Sequence, residues 1–338
     1  MNKIRIEPAD VSVVIQGPVF NDVCQNINYT KRACLSVRKH LPGAEIILST
    51  WEGETTEGLD YDILVQSSDP GNFTFILSEK MDNDSSHYPM NINRQIISTL
   101  NGIKKSTRKY ICKMRSDTIL LGDNILKEYC KYNAPIKEPY SSILKRRVVT
   151  LSSVNPQRYF PFAFYLCDWF FFGEKNDIEY IWDIPLIEES SLHQRPADGL
   201  YYMDDNFGNE QYLWMGFLNK FMKVDIVNGK TLNKKILEES EKSYANCCIF
   251  LTAKKAQIKS LKIKESGYGA RPCFSNAGLY TTNEWKKLYN KYGNGNLLII
   301  PNPFENIVYM LVTWIRGIKK TKMSCIYYII VNIYHKLR

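Results

Sequence analysis

RKYICKMRSDT, residues Arg108 to Thr118, is the stretch on which the reading of this chain turns. A short, partly apolar run (Tyr110, Ile111, Cys112, Met114) ends in a polar cluster with one carboxylate, Asp117. Ahead of it Ile92, Ile96, Leu100 and Ile103 recur at helical spacing, which predicts an amphipathic helix over about 91–105. Helix, strand, then an acid at the strand's carboxyl end is how an open α/β sheet places a ligand group in its crevice. Lys113, Arg115 and Asp117 alternate along the strand, so all three side chains are expected on one face. Two cations and an acid there suit a diphosphate, with or without a metal ion.

Working outward, Val11 to Ile15 reads as a buried parallel strand stopped by Gly17-Pro18. Thr30 to His40 reads as a helix, Ala44 to Leu48 and Tyr61 to Val65 as further strands. Strands separated by helices predict an α/β fold with a mostly parallel sheet flanked by helices. From about Tyr140 the pattern changes: Val148 to Ser153 and the aromatic run Phe164 to Phe172 read as strands, and Asn209 to Phe221 as a helix. The segment 228–264 is basic and polar, with room for one or two helices. The expected organisation is one unit over 1–300, with halves at about 1–140 and 141–300, and a tail over 301–338.

The 338 residues are enough to bury a substantial core, and 44% hydrophobic with 23% charged residues is a globular composition. A net charge of +9 favours anionic partners, but the basic residues form no recognition-helix pattern, so nucleic acid is not expected. Nine cysteines without a CxxC pair or an apolar leader over Met1 to Asp10 read as reduced thiols in a cytoplasmic protein. No Walker A, G-x-G-x-x-G or G-x-S-x-G sequence occurs, which leaves kinase, dehydrogenase and serine-hydrolase readings without a foothold.

The tail carries two apolar runs, Ile307 to Ile315 and Cys325 to Tyr334, around Arg316, Lys319, Lys320 and Lys322. Each is short of the roughly 20 residues that cross a bilayer. Basic residues beside Trp314, Tyr327 and Tyr328 suit a helical element lying on an anionic membrane surface, and a helix pair packed on the body fits the same pattern.

Several motifs together resemble the WavE family: IQGPVFN after the first strand, STWEGE after the second, QSSDPG after the third, NINRQIISTLNGIKKSTRKYICKMRSDT, and the later NEQYLW. Proteins of that family are associated with bacterial lipopolysaccharide and capsule synthesis and regarded as glycosyltransferases of the GT-A type. The resemblance implies a GT-A-like (Rossmann-like) sheet holding a nucleotide-sugar donor across its carboxyl edge. It implies Gln16, Gly17 and Pro18 beside the base, Glu52 at the nucleoside, and Asp69 beside the same pocket. Asn93-Arg94-Gln95 loosely resembles a helix motif of similar enzymes, which offers Arg94 to a phosphate; bracing the strand-end loop is its other role. Each also has a plain structural reading: Gly17-Pro18 and Asp69-Pro70-Gly71 as turns, Glu52 as a solvated acid.

One departure matters. The usual metal motif is Asp-x-Asp, and here Arg115 stands where the first acid would be. Asp117 is then the one expected ligand for Mg²⁺ or Mn²⁺, with Lys113 and Arg115 available to take over part of the ion's charge. Glu210, at the start of the Asn209 helix, is the expected base for an inverting transfer. The helix N-terminus is expected to keep it ionised. Asp204 and Asp205 compete for that role or for sugar hydroxyls, and Asp168-Trp169 is an expected sugar-contacting pair. The function so implied is transfer of a sugar to a lipid-linked or oligosaccharide acceptor by a protein peripheral on the inner face of the cytoplasmic membrane. A sugar nucleotidyltransferase would show a glycine-rich basic loop where IQGPVFND stands. A non-catalytic glycan- or membrane-binding protein would tolerate loss of Glu210.

Overall fold

The computed structural model describes residues 5–22, 27–76, 87–132, 134–136, 138–157, 162–261, 278–293, 299–307 and 310–311. The basic tail beyond residue 311 lies outside the described residues.

The first half builds as its periodicity predicts. β1 (Val11–Gln16) is buried at every position, as a strand covered on both faces must be. α1 (Tyr29–His40) starts on the Asn28 side chain, which accepts from the Lys31 N–H at 2.8 Å, and ends in Arg38, Lys39 and His40, cations that favour a helix C-terminus. β2 (Glu45–Trp51) and β3 (Ile63–Ser67) follow. A short antiparallel pair, β4 (Phe73–Ile76) and β5 (His87–Met90), then leads into α2 (Ile92–Lys105) and β6 (Tyr110–Arg115). α2 buries Ile92, Ile96, Leu100 and Ile103 on the sheet. Gly102 lets it sit close: a Cβ there would stand 2.4 Å from Val14 Cγ1.

β7 (Thr118–Leu120) and α3 (Asn124–Tyr132) lead to β8 (Val148–Leu151) and β9 (Phe170–Glu174), which runs into α4 (Lys175–Trp182). α5 (Asn209–Leu218), α6 (Lys234–Cys247) and β11 (Cys248–Leu251) come next, after a two-residue β10 (Tyr201–Tyr202) beside β4; α8 (Thr282–Tyr292) follows a one-turn α7 (Ala253–Ala256). The central sheet has seven strands in the order β11-β8-β9-β6-β1-β2-β3. All neighbours are parallel except β9, which runs antiparallel to both β8 and β6.

The aromatic run is therefore less strand than expected. Only Phe170, Phe171 and Phe172 of it enter the sheet, fully buried, while Phe164 takes a left-handed φ of 55°. The strand order turns back at β1 and β6, and the carboxyl ends of a sheet at such a point open a crevice. No helix among the described residues is long and apolar enough to cross a membrane.

Candidate active site

A cleft of about 290 Å³ opens at that point, lined at one end by Gln16, Gly17, Pro18, Phe20, Trp51 and Glu54. Asp69, Asn91, Arg94, Gln95, Arg115, Ser116 and Asp117 complete its lining. The floor depends on glycine. Gly17 has φ +114°, and a Cβ on it would meet Ser116 Oγ at 3.3 Å. Ser116 in turn donates its N–H to the Gln16 carbonyl at 2.9 Å and its hydroxyl to the Pro18 carbonyl at 2.6 Å. The ends of β1 and β6 are thereby tied together, with Ser98 Oγ donating to Gln16 Oε1 at 2.8 Å from α2.

Two ion pairs lie in the cleft. Arg94 forks onto Asp69 at 2.7 and 2.6 Å, and Asp69 also accepts the Gly71 N–H at 2.9 Å. Arg115 forks onto Asp117 at 3.0 and 2.8 Å, and its guanidinium lies 4.6 Å from the centre of the Trp169 ring. The Asp117 side chain is only 3% exposed. Both of its oxygens serve Arg115, and among the described residues no three His, Cys, Asp or Glu side chains converge as a metal site. These residues do not fit a protein-built cage for a divalent cation.

From Gln95 and Asn91 runs a buried polar network. Gln95 donates from Nε2 to Asp168 Oδ2 at 2.5 Å and to Asn91 Oδ1 at 3.1 Å. Asn209 donates from Nδ2 to the same Asn91 oxygen and to the Tyr88 hydroxyl, both at 3.0 Å. Glu210 follows Asn209 in the first turn of α5. Burial pushes its carboxyl up from 4.5 to about 8, the Asp168 carboxylate adds to the rise, and a Tyr165 hydrogen bond and the Arg115 charge offset only part of it. Burial and Asp168 raise Tyr88 too, with Glu210.

Of the residues expected at the site, Gln16, Gly17, Pro18, Asp69, Arg94, Arg115 and Asp117 come together in the cleft. Seven others, Glu52, Lys113, Asp168, Trp169, Asp204, Asp205 and Glu210, are not among the lining residues. Glu52 is exposed, because Gly53 at φ +84° turns the chain back and brings Glu54 to the cleft instead. Lys113 is fully buried beneath the strand end, its ammonium donating to the Asp168 carbonyl and lying 4.4 Å from the Trp182 ring centre. Its pKa falls to about 7, chiefly through burial. Asp205 is held by Arg195 and Asp204 by Lys230, away from the cleft lining. Asp168, 2% exposed, sits in the network rather than on an open sugar platform. The helix start does not keep Glu210 ionised, since burial and a neighbouring carboxylate outweigh the dipole. Trp51, Phe20, Glu54 and Gln95 escaped sequence reasoning. Trp51 closes a strand at its carboxyl end, which was the available signal.

A chain with this sheet and crevice is an α/β protein equipped to hold a ligand at the switch point. The family model for WavE lipopolysaccharide synthesis matches residues 11–323. The chain belongs to that family, and its role lies in lipopolysaccharide synthesis. No curated protein matches the sequence.

Proposed function

We propose that this protein is a GT-A-type glycosyltransferase that moves a sugar from a nucleoside-diphosphate donor to a lipopolysaccharide or capsular acceptor, with inversion. The observation that carries the reading is the pairing, at one sheet edge, of a cleft holding Arg115 with a buried carboxyl, Glu210, that feels the same guanidinium. The nucleoside would lie against Trp51 and the Gln16-Gly17-Pro18 turn, and the diphosphate would take Arg115 and Arg94. Arg115 gives two of its five N–H groups to Asp117, which leaves three for phosphate oxygens.

In the transfer, ionised Glu210 removes the acceptor hydroxyl's proton as that oxygen bonds the anomeric carbon. The bond from that carbon to the diphosphate breaks, and its electron pair leaves on the phosphate oxygen. Arg115 meets the charge that grows there. A carboxyl whose pKa is near 8 is a stronger base, once ionised, than an ordinary one. Asp117 would be the one carboxylate offered to an Mg²⁺ or Mn²⁺ ion arriving with the diphosphate. The tail, with Phe304, Ile307 and Met310 exposed in its first part, would hold the enzyme on the inner face of the membrane, beside a lipid-linked acceptor.

The test is the purified full-length protein with a panel of nucleotide-sugars. Turnover that disappears in Asp117→Ala and Glu210→Gln supports the proposal. Binding without turnover, in the presence of the authentic acceptor, overturns it in favour of a binding module.

A further inference from the structure

Hydrogen bonds trace where the last described residues run. α8 starts at the carboxyl edge of the sheet: the Thr252 N–H, one residue beyond β11, donates to Thr282 Oγ1 at 3.2 Å, and Tyr280 pairs with Ser153, two residues beyond β8. β8 and β11 are parallel to each other, and β9, antiparallel to both β8 and β6, sets them parallel to β6. This is therefore the edge at which the cleft opens. At the far end of α8 the Tyr292 carbonyl accepts from Asn246 Nδ2 at 3.1 Å, just ahead of β11. The chain then comes back along the helix. Asn290 Nδ2 donates to the Ile299 carbonyl at 2.7 Å, Lys286 Nζ to the Ile300 carbonyl at 3.2 Å, and the Asn302 N–H to Asn283 Oδ1 at 2.5 Å. Residues 303–307, 310 and 311 are helical, and they begin beside the start of α8, at the edge of the cleft.

Ile300, Phe304, Ile307, Met310 and Leu311 are each more than half exposed, five of the eleven large apolar side chains exposed among the described residues. At about 100° per residue, Phe304, Ile307 and Leu311 share one helix face and Glu305 falls on the opposite one. Between this patch and the cleft the same edge carries exposed Leu121, Lys254 in α7, and Lys259 in the short strand that pairs with β7 just after Asp117. Three strand spacings, roughly 15 Å, separate β11 from β6. From residue 306 to 338 the sequence holds six Lys or Arg and no Asp or Glu. Apolar side chains bordered by cations match anionic headgroups over acyl chains, whereas a second copy would bring the same positive charge. We propose that this edge is a docking face for an anionic phospholipid bilayer. Phe304, Ile307 and Leu311 enter the headgroup layer, Lys254 and Lys259 lie over it, and the cleft opens alongside. The inference rests on the membrane attachment proposed above and adds which face docks and how the cleft is turned. A tail alone tethers the enzyme in any orientation; this edge fixes one, with the donor held beside the surface from which a lipid-linked acceptor presents its hydroxyl.

The experiment floats the full chain with vesicles of phosphatidylcholine alone and of phosphatidylcholine mixed with phosphatidylglycerol. The chain is expected to bind the anionic vesicles at least tenfold more tightly. Phe304→Ser with Ile307→Ser should lose at least tenfold of that affinity, and Lys254→Glu with Lys259→Glu several-fold. Lys104→Glu with Lys105→Glu, an equal change of charge at the end of α2 on the opposite edge, should alter it less than twofold. All six side chains are exposed, so the variants keep the core intact. Equal weakening by the two charge reversals, or none by the first, overturns the inference and leaves attachment through the tail standing. Absence of vesicle binding overturns both. A dimer of the full chain that Phe304→Ser with Ile307→Ser breaks, without vesicle binding, makes the patch a contact between copies and overturns both as well. Nucleotide binding and turnover in solution need no vesicles, so the glycosyltransferase reading is judged separately.

Discussion

Replacing Glu210 with Gln should change the pH dependence of stability in a direction opposite to that of activity. The Glu210 carboxyl titrates at about 8 in the folded chain against 4.5 ordinarily, with burial the larger cause and Asp168 the second. Between these values the folded state binds more protons than the unfolded one, so stability falls as pH rises, by at most about 1.4 kcal/mol per unit for one group. Integrated from pH 6 to 8, this one carboxyl removes about 2 kcal/mol. Over the same interval the fraction of Glu210 able to accept a proton rises, so turnover should climb toward pH 8. Lys113, lowered to about 7 by burial, acts in the opposite sense, adding stability as pH rises from about 7 toward its ordinary value. The difference between wild type and Glu210→Gln therefore isolates the carboxyl. Denaturant unfolding of both proteins at half-unit steps from pH 6 to 8.5 is the assay. The Gln variant should gain on wild type with rising pH, and it should have lost turnover at every pH. Parallel stability curves would refute the argument, because they would mean that Glu210 ionises in the fold as it does in the unfolded chain.

Arg115→Met strands the buried Asp117 carboxylate and should cost about 3 kcal/mol, the lower end for breaking a buried pair because the arginine is partly exposed. The double variant with Asp117→Asn should recover most of that stability in thermal unfolding without recovering turnover. Gly17→Ala forces a Cβ into a φ of +114° against Ser116; a loss of about 1–2 kcal/mol and weaker nucleotide binding by calorimetry are expected. Lys113→Met removes a desolvated ammonium of similar length, and should be neutral or stabilising below pH 7 in the same denaturant assay. Nucleoside diphosphate binding should tighten with Mn²⁺, because the phosphate shares Arg115 with Asp117 and adds negative charge beside that carboxylate. Calorimetry with Mn²⁺ and with a chelator reads this.

The first half of the fold was legible because its elements are long and their periods differ: five buried residues on α1 at helical spacing, and apolar runs at β1 and β2. The direction of β9 was not, since a buried antiparallel strand and a buried parallel one share the same apolar run. At the site, the strand-end rule pointed to Lys113, Arg115 and Asp117, and the family resemblance to Asp69, but the rule counts residues along a strand and not depth below its end. Lys113 sits two residues earlier than Arg115, enough to put it under the crevice floor against Trp182. Glu52 and Glu54 differ by which side of a glycine turn they fall on, a matter of the sign of φ at Gly53. Glu210 was found at its helix start, but its proton affinity depends on Asp168, 42 positions away in sequence and across the fold.

Arg115 links the two halves of the proposed reaction. Its charge helps hold the Glu210 carboxyl below the value that burial alone would give. A diphosphate docking on the guanidinium brings negative charge that opposes this effect, so the Glu210 pKa must rise further when the donor is bound. The same event that readies the leaving group then strengthens the base, and it does so at the cost of keeping the base protonated to higher pH. When the bond breaks and negative charge grows on the departing oxygen, Glu210 is already taking up the acceptor's proton, so the two carboxyl states follow the two ends of the reaction. An Asp at position 115 would reverse the first of these signs. Its own negative charge would raise Glu210 in the free enzyme, and a cation would be needed before any diphosphate could approach. The arginine in place of the usual first acid is thus a change in how the site balances charge, with a consequence for the base as well as for the metal.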